Sequence, residues 1–211
     1  MSERTPEAVV EAEQRISAAF KAGELRLAAT SALEAYADEI ASFLGARLRS
    51  PSDAAEVFSM FVEDLWAGLP NFAWRCSMRT WAYALARNAS ARYLTSPQRR
   101  PNRALPLSEL PEISALIDRV RSTTHAFQRT DTKDRFRALR EQLDSEDQML
   151  LVLRVDRELS WRDLALAMTG DTELDEAALV REAARLRKAF ERVKIELRRL
   201  AEREGLLKSK G

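Results

Sequence analysis

The stretch from Leu65 to Ser108, LWAGLPNFAWRCSMRTWAYALARNASARYLTSPQRRPNRALPLS, decides the fold class and the expected partner. A break at Gly68 and Pro70 separates two helical patterns, and Pro97 ends the second, which runs from Met78 to Leu94. The stretch contains no Asp or Glu. Its cations are Arg75, Arg79, Arg87, Arg92, Arg99, Arg100 and Arg103, and its aromatic residues include Trp74, Trp81, Tyr83 and Tyr93. Such a stretch attracts polyanions and offers rings to exposed bases, so nucleic acid is the leading partner.

The composition of the whole chain predicts an all-α protein. The chain has 211 residues, 45% of them apolar, with only 6 Gly and 7 Pro. This is enough for two small domains, each with its own core. The net charge of +1 hides an uneven distribution, since residues 1–65 carry 12 acids against 6 bases.

Apolar periodicity divides the chain into two helical domains. In the first, residues 1–96, helices are expected over 6–22, 25–48, 52–66 and 78–94, with Ser52 as the N-cap of the third. Prolines at 97, 101, 106 and 111 predict an extended linker over 97–132, with at most a short helix near 113–120. The second domain, 133–211, is expected to hold helices over 133–143, 146–157, 161–168 and 176–204.

The last two helices have the outline of a helix-turn-helix with a recognition helix. Ser160 and Asp163 form a variant of the capping box before the first of them. The second carries an apolar stripe that is expected to be core or a short coiled coil: Leu179, Ala183, Leu186, Phe190, Val193, Leu197 and Leu200. Its other faces are cationic, with nine bases and four acids between Arg181 and Arg203.

Several classes of function are disfavoured. Cys76 is the only cysteine and His125 the only histidine, so neither a disulfide nor a Cys/His metal site is expected, and no cofactor is predicted. Paired catalytic acids and a phosphate-binding glycine loop are missing, which argues against an enzyme. Without an apolar signal core or an 18-residue apolar run, a cytoplasmic protein away from membranes is expected.

Three segments resemble extracytoplasmic function (ECF) sigma factors. Residues 65–72, LWAGLPNF, and 77–88, SMRTWAYALARN, are similar to the family's region 2. Residues 186–194, LRKAFERVK, are similar to its region 4 recognition helix. The resemblance covers roughly 25–94 and 136–200. It implies a non-enzymatic subunit that binds the clamp and flap regions of core RNA polymerase, recognises promoter DNA and helps to open it.

The resemblance also implies roles for individual residues. Asn88 and Arg92, one helical turn apart, would read the upstream part of the minus-ten element, and the 73–77 loop would close over a flipped base. Arg79 and Arg87 are expected on phosphates. The full minus-ten set is Asn88, Arg92, Arg79, Arg87, Trp74, Arg75 and Ser77, although the spacing of Trp81 favours a core position. In region 4, the minus-thirty-five set is Arg187, Lys188, Glu191 and Arg192.

The polymerase-docking helix departs from the family pattern. The family has a strongly acidic run there, whereas residues 53–60 read DAAEVFSM. The expected contacts are Asp53, Glu56, Ser59, Met60 and Glu63, with exposed Phe58 or Met60 partly replacing charge. We hypothesise weak polymerase affinity that added negative charge restores. A Ser/Thr kinase acting on Ser59, or on Ser52, would supply it, and an anti-sigma factor is the other expected regulator.

A second departure is the connection over 170–178, which is several residues longer than the family's tight turn. Gly170 to Thr172 is expected to stop one helix, and Asp175 with Glu176 to start the next. The added residues either lengthen the recognition helix or place acids near the DNA backbone.

Two other functions stay open. A helix-turn-helix repressor with a helical N-terminal interaction domain would explain the second domain but not the acid-free aromatic stretch. A coiled-coil interaction module would use the 179–200 stripe, but Ala183 and the cationic flanks disfavour it.

Overall fold

A computed structural model describes residues 6–48, 50–95 and 138–207. In these ranges the chain forms helices and turns and contains no strand, so the all-α prediction is confirmed. The predicted linker over 97–132, its short helix near 113–120, and residues 133–137 lie outside the described residues.

Four helices form the N-terminal half. They are α1 (Pro6–Lys21), α2 (Leu25–Leu48), α3 (Pro51–Gly68) and α4 (Met78–Thr95). A 3₁₀ turn, Leu69–Asn71, follows α3 and leads into the loop before α4. The bounds agree with the sequence prediction within two residues, because the breaks at Gly23, Pro70 and the 73–77 loop are local signals.

The start of α3 differs from the prediction. Ser50, not Ser52, is the N-cap: its Oγ accepts a hydrogen bond from the main-chain N–H of Asp53 at 3.3 Å. Pro51 occupies the first turn, where its missing N–H leaves no internal bond unmade. Ser52 is therefore an exposed residue of the first turn.

Three helices form the described part of the C-terminal half. Residues 138–141 are the end of a helical segment. Then come α5 (Ser145–Leu151), which continues as a π-helical turn over Val152–Asp156, α6 (Trp161–Thr169) and α7 (Glu176–Arg203). The apolar stripe of α7 faces the core as expected: Leu179, Ala183, Leu186, Val193 and Leu200 are buried, and Phe190 and Leu197 are partly buried.

The two halves pack directly against each other. Helix α4 lies against α6, α2 contacts α5, and buried residues of both halves belong to one continuous apolar cluster. On the N-terminal side the helices approach closely through small residues such as Ala28, Ala32 and Ala86, all at most 1% exposed. A shared core of this kind removes apolar surface from water on both sides, so the contact between the halves contributes to stability.

Within the described part of the chain, no helix is both long enough and apolar enough to cross a membrane.

Candidate nucleic-acid interface

The N-terminus of α4 is held by a carboxylate from another helix. Glu13 on α1 accepts hydrogen bonds from the main-chain N–H groups of Met78 and Arg79, each at 2.9 Å. Tyr36 on α2 donates its hydroxyl to the same carboxylate at 2.7 Å, and burial together with Glu13 raises the pKa of Tyr36. Ser77 adds a local cap, since its Oγ accepts from the Thr80 N–H at 3.1 Å. A negative charge at a helix N-terminus is favourable, so Glu13 fixes where α4 begins.

Sequence reasoning missed Glu13. Its role depends on a contact 65 residues away along the chain, and an isolated Glu on an amphipathic helix carries no signal for it.

Arg79, a predicted phosphate contact, forms a half-buried ion pair. Its Nε and Nη2 donate to the two carboxylate oxygens of Glu39, both at 2.8 Å. Its Nη1 donates to the Arg157 carbonyl of the C-terminal half at 3.1 Å. Burial disfavours the charged guanidinium, but the bidentate bond to Glu39 outweighs burial and raises the pKa of Arg79. In this conformation its donors are therefore occupied within the protein.

Asn88, the predicted base reader, is also occupied. Its side-chain Nδ2 donates to the main-chain carbonyl of Gly170 at 2.8 Å. Residues 80 and 88 are two turns apart on α4 and share a face, and Thr80 Oγ1 lies 3.1 Å from Asp163 Oδ1 of α6. The C-terminal half thus occupies Asn88 and Arg79 among the predicted DNA contacts of α4.

The two other arginines of α4 have different surroundings. Arg92 is exposed and forms an ion pair with Asp64 on α3. Arg87 is half-buried, and its buried Nε has no hydrogen-bond partner among the described residues. An unpaired buried donor is costly, so Arg87 is a group for which a phosphate oxygen would be a favourable partner.

The loop before α4 is packed around Trp74. Its ring contacts Phe20 at 5.6 Å and Phe72 at 4.9 Å between centroids, and its backbone has a φ of 55°. The Nε1 of Trp74 is buried without a partner among the described residues, whereas Arg75 is exposed. A non-glycine residue in the left-handed region is strained, so this loop holds its conformation through packing.

Trp81 and Tyr83 of α4 are buried, whereas Trp74 of the loop is only partly buried. Trp81 is 8% exposed and stacks on Phe72 with 4.5 Å between centroids, which confirms its predicted core position. Tyr83 is fully buried against Phe43. The expectation that these two rings stack on exposed bases is wrong for this conformation, because both are required to fill the space between α2, α3 and α4.

The predicted docking surface on α3 needs a correction. Phe58 and Met60 are 1% and 7% exposed, so neither offers an apolar contact to a partner. Both point into the core, because α3 packs against α2 on one side and α4 on the other. Met60 is therefore removed from the predicted polymerase contacts.

Three of the predicted polymerase contacts lie along one line on α3. Glu56, Ser59 and Glu63 are half-buried and lie at i, i+3 and i+7 on one face. Burial raises the pKa of Glu63, and the neighbouring acids Asp64 and Glu56 raise it further. This part of α3 therefore carries several acidic groups close together. Asp53 lies at the start of the helix and accepts a hydrogen bond from the Tyr93 hydroxyl at 2.9 Å.

Helices α6 and α7 are joined by a turn with its own caps. Ser160 Oγ accepts from the Asp163 N–H at 3.1 Å and lies 2.6 Å from the Asp163 carboxylate, which confirms the predicted cap of α6. Gly170 ends α6 in the left-handed conformation with a φ of 73°. Asp171 accepts from the Glu173 N–H at 2.8 Å, and Asp175 caps α7 by accepting from the Ala178 N–H at 2.7 Å. The stop and start signals are confirmed.

The exposed cations of α7 differ in their pairing. Four form intrahelical ion pairs with Glu three or four residues away: Arg185, Lys194, Arg198 and Arg199. By contrast, Arg187, Lys188 and Arg192 are exposed and form no ion pair within the described residues. Arg187 lies over the ring of Trp161, the first residue of α6, at 5.5 Å, a cation–π contact. The fourth predicted residue of this set, Glu191, pairs with Lys194 at 2.8 Å.

Comparison with known protein families gives a match in the N-terminal half. Residues 32–100 match the family model of sigma-70 region 2. Neither the curated proteins nor the solved structures that were compared gave a match. The matched residues include α3, the loop before α4 and all of α4, whereas α1 with Glu13 precedes them. Sigma factors are non-enzymatic transcription initiation factors, and their region 2 acts in RNA polymerase binding and promoter melting. Residues 32–100, about a third of the chain, are therefore similar to sigma-70 region 2.

Proposed function

We propose that the chain is an alternative sigma factor of the ECF type, acting in the cytoplasm. In this proposal its N-terminal domain binds core polymerase and the minus-ten element, and its C-terminal domain binds the minus-thirty-five element. The observation that carries the proposal is the region 2 match over 32–100, followed by a second helical unit whose last helix, α7, has an excess of basic residues.

The N-terminal domain would divide its surface between protein and DNA. The line of Glu56, Ser59 and Glu63, with Asp53 beside it, is the acidic surface proposed to bind the polymerase clamp. On α4, Asn88 and Arg92 would read bases, and Arg79 and Arg87 would bind phosphates. The loop proposed to enclose a flipped base contains Trp74, Arg75 and Ser77. Arg75 is exposed and would contact the phosphate backbone of the DNA.

The C-terminal domain would read duplex DNA with α7. Arg187, Lys188 and Arg192 support this role because they are exposed cations without an ion pair in the described residues. Arginine forks onto the O6 and N7 atoms of guanine, and Glu191 would accept from the amino group of cytosine. In the proposal the same domain contacts the polymerase flap.

Regulation is proposed to act on the docking surface of α3. Ser59 lies between Glu56 and Glu63 on one face of α3. Its hydroxyl donates a hydrogen bond to the Ala55 carbonyl at 3.2 Å. Phosphorylation there would add about −1.5 to −2 charges to a surface that already has acidic character. An anti-sigma factor bound to the same surface would have the opposite effect.

The test is reconstitution of the full chain with core RNA polymerase. Premelted and duplex DNA pools with randomised upstream segments would be used, with permanganate reactivity of thymines as the signal for opening. Asn88→Ala is expected to reduce opening of duplex templates by about tenfold or more while changing initial duplex binding much less, because the amide acts only on an extruded base. Equal opening by Asn88→Ala and the native chain would remove the assignment of Asn88.

A helix-turn-helix repressor is the second candidate, favoured by the unpaired cations of α7 and by the separate caps of α6 and α7. A repressor would bind a specific duplex stably without polymerase. Such binding, together with no association with core polymerase, would replace the first proposal by the second.

A further inference from the structure

The turn between α6 and α7 reaches across the molecule to α4. Its Gly170 carbonyl accepts the hydrogen bond from Asn88 Nδ2 at 2.8 Å, although the two residues are 82 positions apart. The turn belongs to the longer-than-expected connection over 170–178.

The contact leaves no room for a side chain at residue 170 unless the Asn88 amide moves. A Cβ on Gly170 would lie 2.0 Å from Asn88 Oδ1 and 2.7 Å from its Cγ, and the glycine has a φ of +73°. Both the close approach and the left-handed backbone exclude other residues without a shift of one partner. The turn and the Asn88 side chain are therefore fitted to each other.

Other polar contacts surround this hydrogen bond and cover the same face of α4. Thr80 meets Asp163 of α6, and Arg79 donates to the Arg157 carbonyl. On the neighbouring α2, Arg47 contacts the Met149 sulfur at 2.9 Å and lies 3.4 Å from Glu146. The C-terminal half thus occupies donors of α2 and α4 along a continuous surface.

Two arginines at this surface each keep an unsatisfied hydrogen-bond donor. The Nε atoms of Arg47 and Arg87 are buried and have no partner among the described residues. Burial lowers the pKa of Arg47, and the nearby charge of Arg87 adds to that effect while Glu146 opposes it. Unsatisfied buried donors disfavour the closed arrangement, and an anionic DNA backbone would offer them acceptors.

We propose that the Gly170 turn is a latch that occupies the base-reading amide of Asn88 until the C-terminal half moves away. A main-chain carbonyl is an acceptor like those on a base edge, so the turn and an extruded base compete for the same amide donor. The inference rests on the proposed base-reading role of Asn88. It adds that the closed chain cannot read single-stranded DNA, and that opening must precede promoter melting.

The direct test compares two glycine variants of the full chain. Gly170→Ala introduces the clash with Asn88, whereas Gly205→Ala, at a φ of +69° with nothing within 4 Å of the added methyl group, introduces only the left-handed strain. Gly170→Ala is expected to increase the radius of gyration measured by small-angle X-ray scattering. It is also expected to bind a labelled random single-stranded DNA pool about tenfold more tightly than the native chain, because more of the protein is binding-competent. Gly205→Ala should match the native chain in both.

Unchanged scattering and unchanged DNA binding by Gly170→Ala would overturn the latch. Adding Asn88→Leu separates the two proposals: it keeps side-chain atoms that clash with a methyl group at residue 170 but removes the amide donor, so it should abolish the gain in DNA affinity while the scattering stays that of the open chain. A gain that persists without Asn88 would overturn the role of Asn88 and the competition with it, even though the halves had separated.

A covalent lock provides a second test that does not depend on destabilising a turn. Thr80→Cys with Asp163→Cys, in a Cys76→Ser background, places one thiol at the position of Thr80 Oγ1 and the other at that of the Asp163 carboxylate carbon, whose Oδ1 lies 3.1 Å from Oγ1. The pair is expected to oxidise in the free chain, and the oxidised chain to produce no run-off transcripts with core polymerase from a randomised promoter pool until it is reduced. No cross-link, or equal transcription by the oxidised and reduced forms, would overturn the latch. Absence of transcripts from the native, oxidised and reduced chains alike would overturn the proposed function itself.

Discussion

The carboxylate of Glu13 accepts the main-chain hydrogen bond of Arg79 at 2.9 Å, so a helix outside the region 2 match sets the start of the proposed DNA-reading helix. The same carboxylate binds Met78 N–H and the Tyr36 hydroxyl, and thereby connects α1, α2 and α4. It is the point at which the N-terminal helix becomes part of the site.

Glu13→Ala is expected to lower the free energy of unfolding by about 2 kcal/mol, because two main-chain donors and a buried hydroxyl lose a charged acceptor. Urea unfolding followed by circular dichroism measures this. Glu11→Ala, on an exposed position of the same helix, is the control and should change stability by less than about 0.5 kcal/mol. Equal effects of the two substitutions would contradict the capping role.

The two ion pairs of α4 should differ in strength. Glu39→Ala leaves the half-buried Arg79 without its bidentate partner and is expected to destabilise the fold by about 3 kcal/mol. Asp64→Ala removes the partner of exposed Arg92 and should change stability by less than about 1 kcal/mol. Chemical unfolding of both variants under identical buffer and salt makes the comparison, and a larger loss for Asp64→Ala would show that the burial argument is wrong.

Cys76 should be slow to react while the protein is folded. Burial, with Asp163 and Glu13 nearby, raises the pKa of Cys76 to about 12, so the thiol stays neutral at pH 8. Iodoacetamide is expected to modify it at least about a hundredfold more slowly than in urea-unfolded protein. A comparable rate in both states would refute the raised pKa.

The same shift has a consequence for stability. The unfolded thiol ionises near pH 8.5, whereas the folded thiol holds its proton to about pH 12. Between these values the folded state binds more protons, so stability contributed by Cys76 is present below pH 8.5 and is lost as pH rises. Cys76→Ser should flatten the decline in unfolding free energy between about pH 8.5 and 10.5, measured by urea unfolding at each pH.

Charge at Ser59 should set the strength of polymerase docking. Ser59→Glu adds a carboxylate between Glu56 and Glu63 and is expected to increase affinity for core polymerase by about threefold, whereas Ser59→Ala should leave it unchanged. Fluorescence anisotropy of the labelled full chain measures this. Ser17→Glu, on α1, adds the same charge elsewhere and should have no effect; equal affinities for all three variants would argue against docking by charge on α3.

Local sequence signals predict where the helices begin and end, but they do not predict contacts between segments that are distant in the sequence. Gly170, Ser160 and Asp175 end or begin helices through bonds within four residues, which the sequence reveals directly. The prediction placed the cap of α3 at Ser52 rather than Ser50, although Pro51 marks the first turn. Phe58 and Met60 look exposed when α3 is considered alone, whereas α2 and α4 cover it on two sides.

The candidate site shows the same division. Arg187, Lys188 and Arg192 lie outside the apolar stripe of α7 and are exposed, as the periodicity of that helix predicts. The pairing of Arg79 with Glu39 and of Asn88 with Gly170 depends on how α4 packs against α2 and α6, over separations of 40 and 82 residues. Periodicity describes one helix at a time and contains no information about which helix covers it.

The central claim is that this chain initiates transcription through core RNA polymerase. The most direct measurement is run-off transcription by core polymerase, with and without the chain, from a duplex pool carrying a randomised upstream segment, with the templates of the transcripts sequenced. The account predicts chain-dependent transcripts whose templates share two upstream elements. Arg187→Ala with Lys188→Ala should relax only the upstream element, and Asn88→Ala the element nearer the start. Transcript levels that are the same with and without the chain, and templates that share no sequence, would contradict it.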